Sequence, residues 1–209
     1  MFKGITLRPS CYECAFKTKH RVSDITIFDC ALVGSYNKDM DDDIGTTSIL
    51  WIMEQSKYII HIIPHVIDLE QPDARENDYR VCLQLKKKYG NRVEIAPPFN
   101  TPIEAKSYIA NMDVFIGSRM HATIGAISSG VATIPFSYSR KFEGLFGNLE
   151  YPYVISARNF SLEEALEKSK SWIQNYEILK ECGQKSVVES YAKLELLEND
   201  IRCLLEKRK

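Results

Sequence analysis

The stretch from 114 to 146, VFIGSRMHATIGAISSGVATIPFSYSRKFEGLF, concentrates the residues with chemistry to offer. Ser118, Arg119 and His121 follow a short apolar run and Gly117, and a second polar cluster, Ser139-Arg140-Lys141, follows the next apolar run. A guanidinium grips a carboxylate or phosphate through two parallel hydrogen bonds, which an ammonium cannot do. An imidazole at its ordinary pKa exchanges protons near neutral pH and can serve as a general acid. Two basic clusters beside a helix N-terminus, whose free N–H groups also attract anions, describe an anion site. Each residue alone has a plainer role: Arg119 in a structural ion pair, His121 bonding at a helix start, Arg140 and Lys141 as exposed loop charges.

The elements that would position this cluster can be read from periodicity and punctuation. Val114 to Ile116 reads as a buried strand, Gly117 as a tight turn, and the residues after it as a short helix stopped by Gly130. A strand follows from Val131 to Phe136, then a basic loop from Ser137 to Lys141. Upstream, Tyr58 to Ile63 is a β-rich run ended by Pro64, with His61 as a structural residue and His65 near the edge of the cleft. Asn77 to Tyr89 has helical spacing and is closed by Gly90. Val93 to Ala96 is the next strand, and Thr101-Pro102-Ile103-Glu104 is a capping box that opens a helix ending near Asn111. Downstream come a strand at Tyr153 to Ile155, a second capping box at Ser161-Leu162-Glu163-Glu164, and an amphipathic tail from Lys185 onward. Strands alternating with helices imply an α/β fold, a Rossmann-like parallel sheet covered on both faces. The turns after each strand then share one edge of the sheet, where ligands bind.

Composition narrows the classes. A chain of 209 residues holds one ordinary domain plus an appendage. Its net charge of −1 gives no general attraction to nucleic acid or anionic membrane, so anion chemistry must come from local clusters. No apolar run approaches the roughly 20 residues of a transmembrane segment, and the start lacks a secretory h-region, so the expected location is cytoplasmic. Six scattered cysteines are there expected to be thiols or metal ligands rather than disulfides. Residues 1–52 differ in texture and read as an irregular N-terminal appendage, with residues 53–209 as the Rossmann-like domain. The appendage holds the C-x-x-C pair Cys11 and Cys14, one β-like alternation from Val22 to Phe28, an acidic turn with Asp39, Asp41, Asp42 and Asp43, and a strand from Ser48 to Met53. Cys11 and Cys14 are weak metal candidates: a site needs two further ligands, of which Cys30 or His20 could supply one.

Gly117-Ser118-Arg119-Met120-His121-Ala122, then Ser128-Ser129-Gly130-Val131, then Tyr138-Ser139-Arg140-Lys141-Phe142-Glu143-Gly144 resemble the polysaccharide pyruvyl transferase family. Weaker matches lie at Ile63-Pro64-His65-Val66 and Asn77-Asp78, so the likeness covers about residues 57–160. It implies the C-terminal half of a GT-B-type fold, with Arg119 and His121 at the donor site. It also implies transfer of a pyruvyl group from phosphoenolpyruvate to a sugar hydroxyl of a cell-surface or extracellular polysaccharide, forming a ketal without a cofactor. Within 1–52, Arg8-Pro9-Ser10-Cys11-Tyr12, Arg21-Val22-Ser23-Asp24-Ile25-Thr26-Ile27 and Met40-Asp41-Asp42-Asp43 resemble instead the C-terminal part of the deazaflavin-coenzyme-reducing hydrogenase beta-subunit family.

Phosphoenolpyruvate carries a carboxylate and a phosphate on one small frame, so its site needs several fixed cations. Arg119 would grip one group, Arg140 and Lys141 the other with Ser118 and Ser139 beside them, and His121 would protonate the methylene carbon or the departing phosphate. Three readings follow. The first is a pyruvyl transferase, acting on a sugar or polysaccharide precursor alone or with a protein supplying an N-terminal half. The second is a donor-binding module without catalysis. The third, from residues 1–45, is an iron–sulfur or flavin redox subunit.

Overall fold

The structure, a computed structural model, describes residues 25–29, 59–68, 70–71, 77–137, 139–156 and 158–207, and of residues 25–29 the backbone alone. Among the described residues six parallel strands form one sheet: β1 (Ile25–Asp29), β2 (Ile59–Ile63), β3 (Val93–Ile95), β4 (Val114–Gly117), β5 (Ala132–Ser137) and β6 (Ile155–Ser156). Their order is β3-β2-β1-β4-β5-β6. The chain therefore steps one way from β1 and the other way from β4, and the carboxyl ends of those two neighbours bound the crevice where open α/β sheets take ligands.

Helices α1 (Asp78–Tyr89), α2 (Pro102–Ile109), α3 (Met120–Ile127), α4 (Arg140–Asn148), α5 (Leu162–Gln174) and α6 (Tyr176–Glu206) connect and cover the strands. Alternation along β4 sorts them into layers. Val114 and Ile116 face one side, packing with Cys82 and Leu85 of α1, Ala165 and Ile173 of α5 and Leu179 of α6. Phe115 faces the other, against Ile109 of α2 and Ala122 and Ala126 of α3. Both faces of the sheet are thus buried, as uninterrupted apolar strands require.

Local signals explain most boundaries. Asn77 caps α1 by accepting from the Tyr79 N–H at 3.1 Å, and Thr101 caps α2 by accepting from the Glu104 N–H at 3.2 Å. The carboxylate of Glu104 reaches back to the Asn100 N–H at 2.9 Å, one residue short of the expected box. The Ser161 and Glu164 box is complete. Gly130 stands at φ +79°, where the Gly130 and Val131 N–H groups close the end of α3 on the Ile127 and Ala126 carbonyls.

Several expectations need correction. Residues 25–29 are an interior strand between β2 and β4, paired over Ile25–Ile59 and Thr26–Val114, so they belong to the sheet and not to an appendage. A five-residue run looks peripheral in the sequence because both its partners lie far along the chain. Gly117 is the last residue of β4, opposite Pro135 of β5, rather than a turn. Arg140 and Lys141 open a helix rather than continuing a loop. Gly144 and Gly147 depress helix propensity there, but the Ser139 cap and the burial of Phe142 and Phe146 carry the helix. The tail helix begins at Tyr176, and every residue from 191 to 207 is exposed. Cys182 and Cys203 are free thiols, whereas Cys82 is disulfide-bonded. Cys11, Cys14, His20, Cys30, the acidic turn and the strand at Ser48 to Met53 fall outside the described residues.

Candidate functional site

Arg119 is the last residue before α3 and caps it without a side-chain bond. Its guanidinium is committed instead to Asp78, the first residue of α1, at 2.7 Å. The Asp78 side chain is 6% exposed and that of Arg119 33%, so the acid is the anchor and the arginine reaches from it toward solvent. The second carboxylate oxygen of Asp78 accepts from the backbone N–H groups of His65 and Val66, at 3.1 and 2.9 Å. The Asp78 N–H closes the set on the Val66 carbonyl at 2.8 Å. One buried acid therefore fixes the loop after β2, the start of α1 and the arginine after β4.

Beside this anchor is a cleft of about 470 Å³, walled by His65, Arg119, Met120, His121, Ser139 and Lys141 among others. Its size suits a small ligand. Two helices open into it with their N-terminal turns, α3 at Met120, His121 and Ala122, and α4 at Lys141 and Phe142. Each helix N-terminus is equivalent to roughly half a positive charge. Asp78 offsets the charge of Arg119, which leaves Lys141 and the two helix ends as the positive surplus of the cleft. The hydroxyl of Ser139 caps α4 through the Phe142 N–H at 3.4 Å. Hence the residue lining the cleft is also the one that starts the helix.

Of the residues singled out in the sequence, Arg119, His121, Ser139 and Lys141 come together here. His121 is exposed at the wall. Ser118 is buried and Arg140 is exposed, and neither is among the residues that line the cleft. Gly117 and Gly130 belong to the scaffold. Asp78 and His65 are the residues that spacing alone undervalued; the pairs His65-Val66 and Asn77-Asp78 carried the signal. His61 is buried, its Nδ1 2.6 Å from the Tyr108 hydroxyl, which makes it part of the framework. Burial and the nearby Glu94 push the Tyr108 phenol up to about 12. Among the described residues no three His, Cys, Asp or Glu side chains gather as a metal site, and no helix is long and apolar enough to cross a membrane.

The sequence signature of the family described as polysaccharide pyruvyl transferase matches residues 21–140, more than half of the chain. That span includes Arg21 to Ile27, so the hydrogenase resemblance of this region is not borne out. No curated protein matches the chain in sequence. Among solved structures, the C-terminal CMP-Kdo binding domain of WaaA from Acinetobacter baumannii is similar at TM-score 0.50 and 14% identity, over 78% of this chain and 89% of that one. Sucrose-phosphate synthase from Thermosynechococcus elongatus is similar at TM-score 0.54 and 13% identity, over 90% of this chain and 46% of the other. UDP-GlcNAc 2-epimerase from Neisseria meningitidis, bound to UDP-GlcNAc, is similar at TM-score 0.50 and 12% identity, over 87% and 46%. At these identities the likeness concerns fold alone, that of one half of a GT-B-type protein. The chain spans less than half the length of the latter two.

Proposed function

The chain belongs to the polysaccharide pyruvyl transferase family, and from that premise we propose that it binds phosphoenolpyruvate in the Arg119 cleft and transfers its pyruvyl unit to a sugar. The observation that carries this reading is the convergence of Arg119, His121, Ser139 and Lys141 on one cleft between two helix N-termini. The guanidinium, oriented by Asp78, takes one anionic group of the donor. Lys141, Ser139 and the first N–H groups of α4 take the other.

His121 then delivers a proton to the methylene carbon, which becomes a methyl group, and C2 acquires oxocarbenium character. A sugar hydroxyl bonds to C2 and gives up its proton. A second hydroxyl bonds to the same carbon as the C2–O bond to phosphate breaks. Of the two hydroxyl protons, one balances that placed on the methyl group and the other leaves on inorganic phosphate. No cofactor enters this sequence. The acceptor class is a precursor of an extracellular polysaccharide, handled in the cytoplasm.

A second reading has its own support. The chain spans 46% of two of its structural neighbours, and Tyr191, Leu194, Leu197, Ile201 and Leu204 form an exposed apolar stripe on α6. In that reading the chain holds the donor, and a further half, on this polypeptide or a partner protein, closes the cleft over the acceptor. Calorimetry with phosphoenolpyruvate, followed by incubation with carbon-labelled donor and glycan acceptors, tests both. Donor binding that is lost in Arg119→Ala supports the site, and label entering glycan supports catalysis by this chain. Absence of donor binding by the unaltered protein overturns the reading.

A further inference from the structure

A second cleft, of about 340 Å³, adjoins the first and shares His65, His121 and Ala122 with it. Its own walls come from the loop after β2, from α2 and from the segment before α2. Pro64, Ile67, Phe99 and Ile109 supply apolar surface, and Asn100 and Lys106 supply polar groups. The Phe99 ring is backed by Tyr108, with centroids 5.3 Å apart and planes inclined at 56°. Tyr108 is fixed in turn by its hydroxyl contact to His61 of β2 at 2.6 Å. Phe99 is therefore a braced platform, only half-buried, rather than a loose surface ring.

The two clefts differ in chemistry. The first gathers a guanidinium, an ammonium and two helix N-termini, as an anion requires. The second has a single ammonium, from Lys106, over a mainly apolar lining with an aromatic face and an amide. A pyranose ring has matching surfaces, apolar C–H faces that lie against an aromatic ring and hydroxyls that bond to amide and ammonium groups around it. His121 stands in the wall common to both clefts.

We propose that the Phe99–Lys106 cleft is the subsite for the acceptor sugar, which it seats on Phe99 with a hydroxyl turned past His121 toward C2 of the donor. This deepens the proposed transferase reading and rests on it. Phe99 and Lys106 are then specificity-determining residues that never touch phosphoenolpyruvate.

Saturation-transfer NMR on the full chain, with methyl glycosides of glucose, galactose, mannose and N-acetylmannosamine as probes, tests the subsite without needing turnover. At least one glycoside is expected to receive saturation at its ring C–H protons, to lose it in Phe99→Ala, and to keep it in Arg119→Ala. Lys106→Ala, a change at a helix surface that leaves the core intact, is expected to weaken the same glycoside, while calorimetry shows phosphoenolpyruvate affinity unchanged in both cleft variants. The proposal is overturned if no glycoside binds, or if the one that binds does so equally well in Phe99→Ala and Lys106→Ala. Phe99-dependent glycoside binding by a chain that fails to bind phosphoenolpyruvate would uphold the sugar subsite and reject the donor site.

Discussion

Asp78 and Arg119, 41 residues apart in the chain, meet at 2.7 Å where the carboxyl edge of the sheet opens. The acid is nearly inaccessible and holds two backbone N–H groups besides the guanidinium, so it is a structural hub as well as an electrostatic partner. Asp78→Ala should cost about 2–4 kcal/mol in urea unfolding, below the figure for a fully buried pair because Arg119 is one-third exposed. Phosphoenolpyruvate affinity should fall with it, whereas Asp78→Asn, which keeps an acceptor for the loop amides, should lose less stability.

His121 should separate binding from chemistry. It is exposed at the cleft wall and takes no part in the Asp78–Arg119 ion pair. His121→Gln is expected to lower turnover by about 10²–10⁴-fold, the usual span for a lost general acid, while calorimetry shows little change in donor affinity.

Ser139 carries two duties that substitution can divide. Ser139→Ala removes the α4 cap and should cost about 1 kcal/mol of stability. Ser139→Asp restores a good cap but places a negative charge in the cleft. Its melting temperature should stay near that of the unaltered protein while phosphoenolpyruvate binding weakens by about tenfold or more.

Tyr108 predicts an alkaline signature. Its phenol is raised from 10.0 to about 12 by burial and by Glu94. A raised folded-state value means that the neutral form is favoured by folding, so this contribution is complete below about pH 10 and is lost as pH rises toward 12. Melting temperature should fall across that window, less steeply in Tyr108→Phe. Tyr151, whose hydroxyl donates to the Thr133 carbonyl at 2.5 Å and whose phenol is also held above its ordinary range by burial, should keep part of the slope in that variant.

Gly130, at φ +79°, offers a purely backbone test. Nothing lies within 4 Å of where a Cβ would stand, so Gly130→Ala meets no clash and should cost about 1–2 kcal/mol from the left-handed conformation alone. Gly130→Asn, which tolerates that region better, should recover part of the loss in the same unfolding measurement.

The parallel sheet, the helix caps at Thr101 and Ser161 and the core of the cleft were legible in the sequence because each is a local signal: a β-rich run, a capping residue, an Arg-x-His after a strand. What was hidden is non-local or self-contradictory. β1 is five residues whose role is set by Ile59 and Val114 on either side of it. α4 contains two glycines, and its helical form rests on the Ser139 cap and the burial of Phe142 and Phe146. Arg140 and Lys141 look equivalent side by side, yet the helix turns only Lys141 into the cleft. Asp78 reads as an ordinary first-turn acid until the fold carries Arg119 to it.

The strand order has a mechanical side. His65 and Asp78 come from the run of chain that builds β1, β2 and β3, while Arg119, His121, Ser139 and Lys141 come from the run that builds β4 and β5. The cleft therefore straddles the β1–β4 border, where those two runs of the sheet meet. A ligand gripped from both banks acts as a clasp across that seam, so occupancy should be felt as resistance to unzipping along the β1–β4 border.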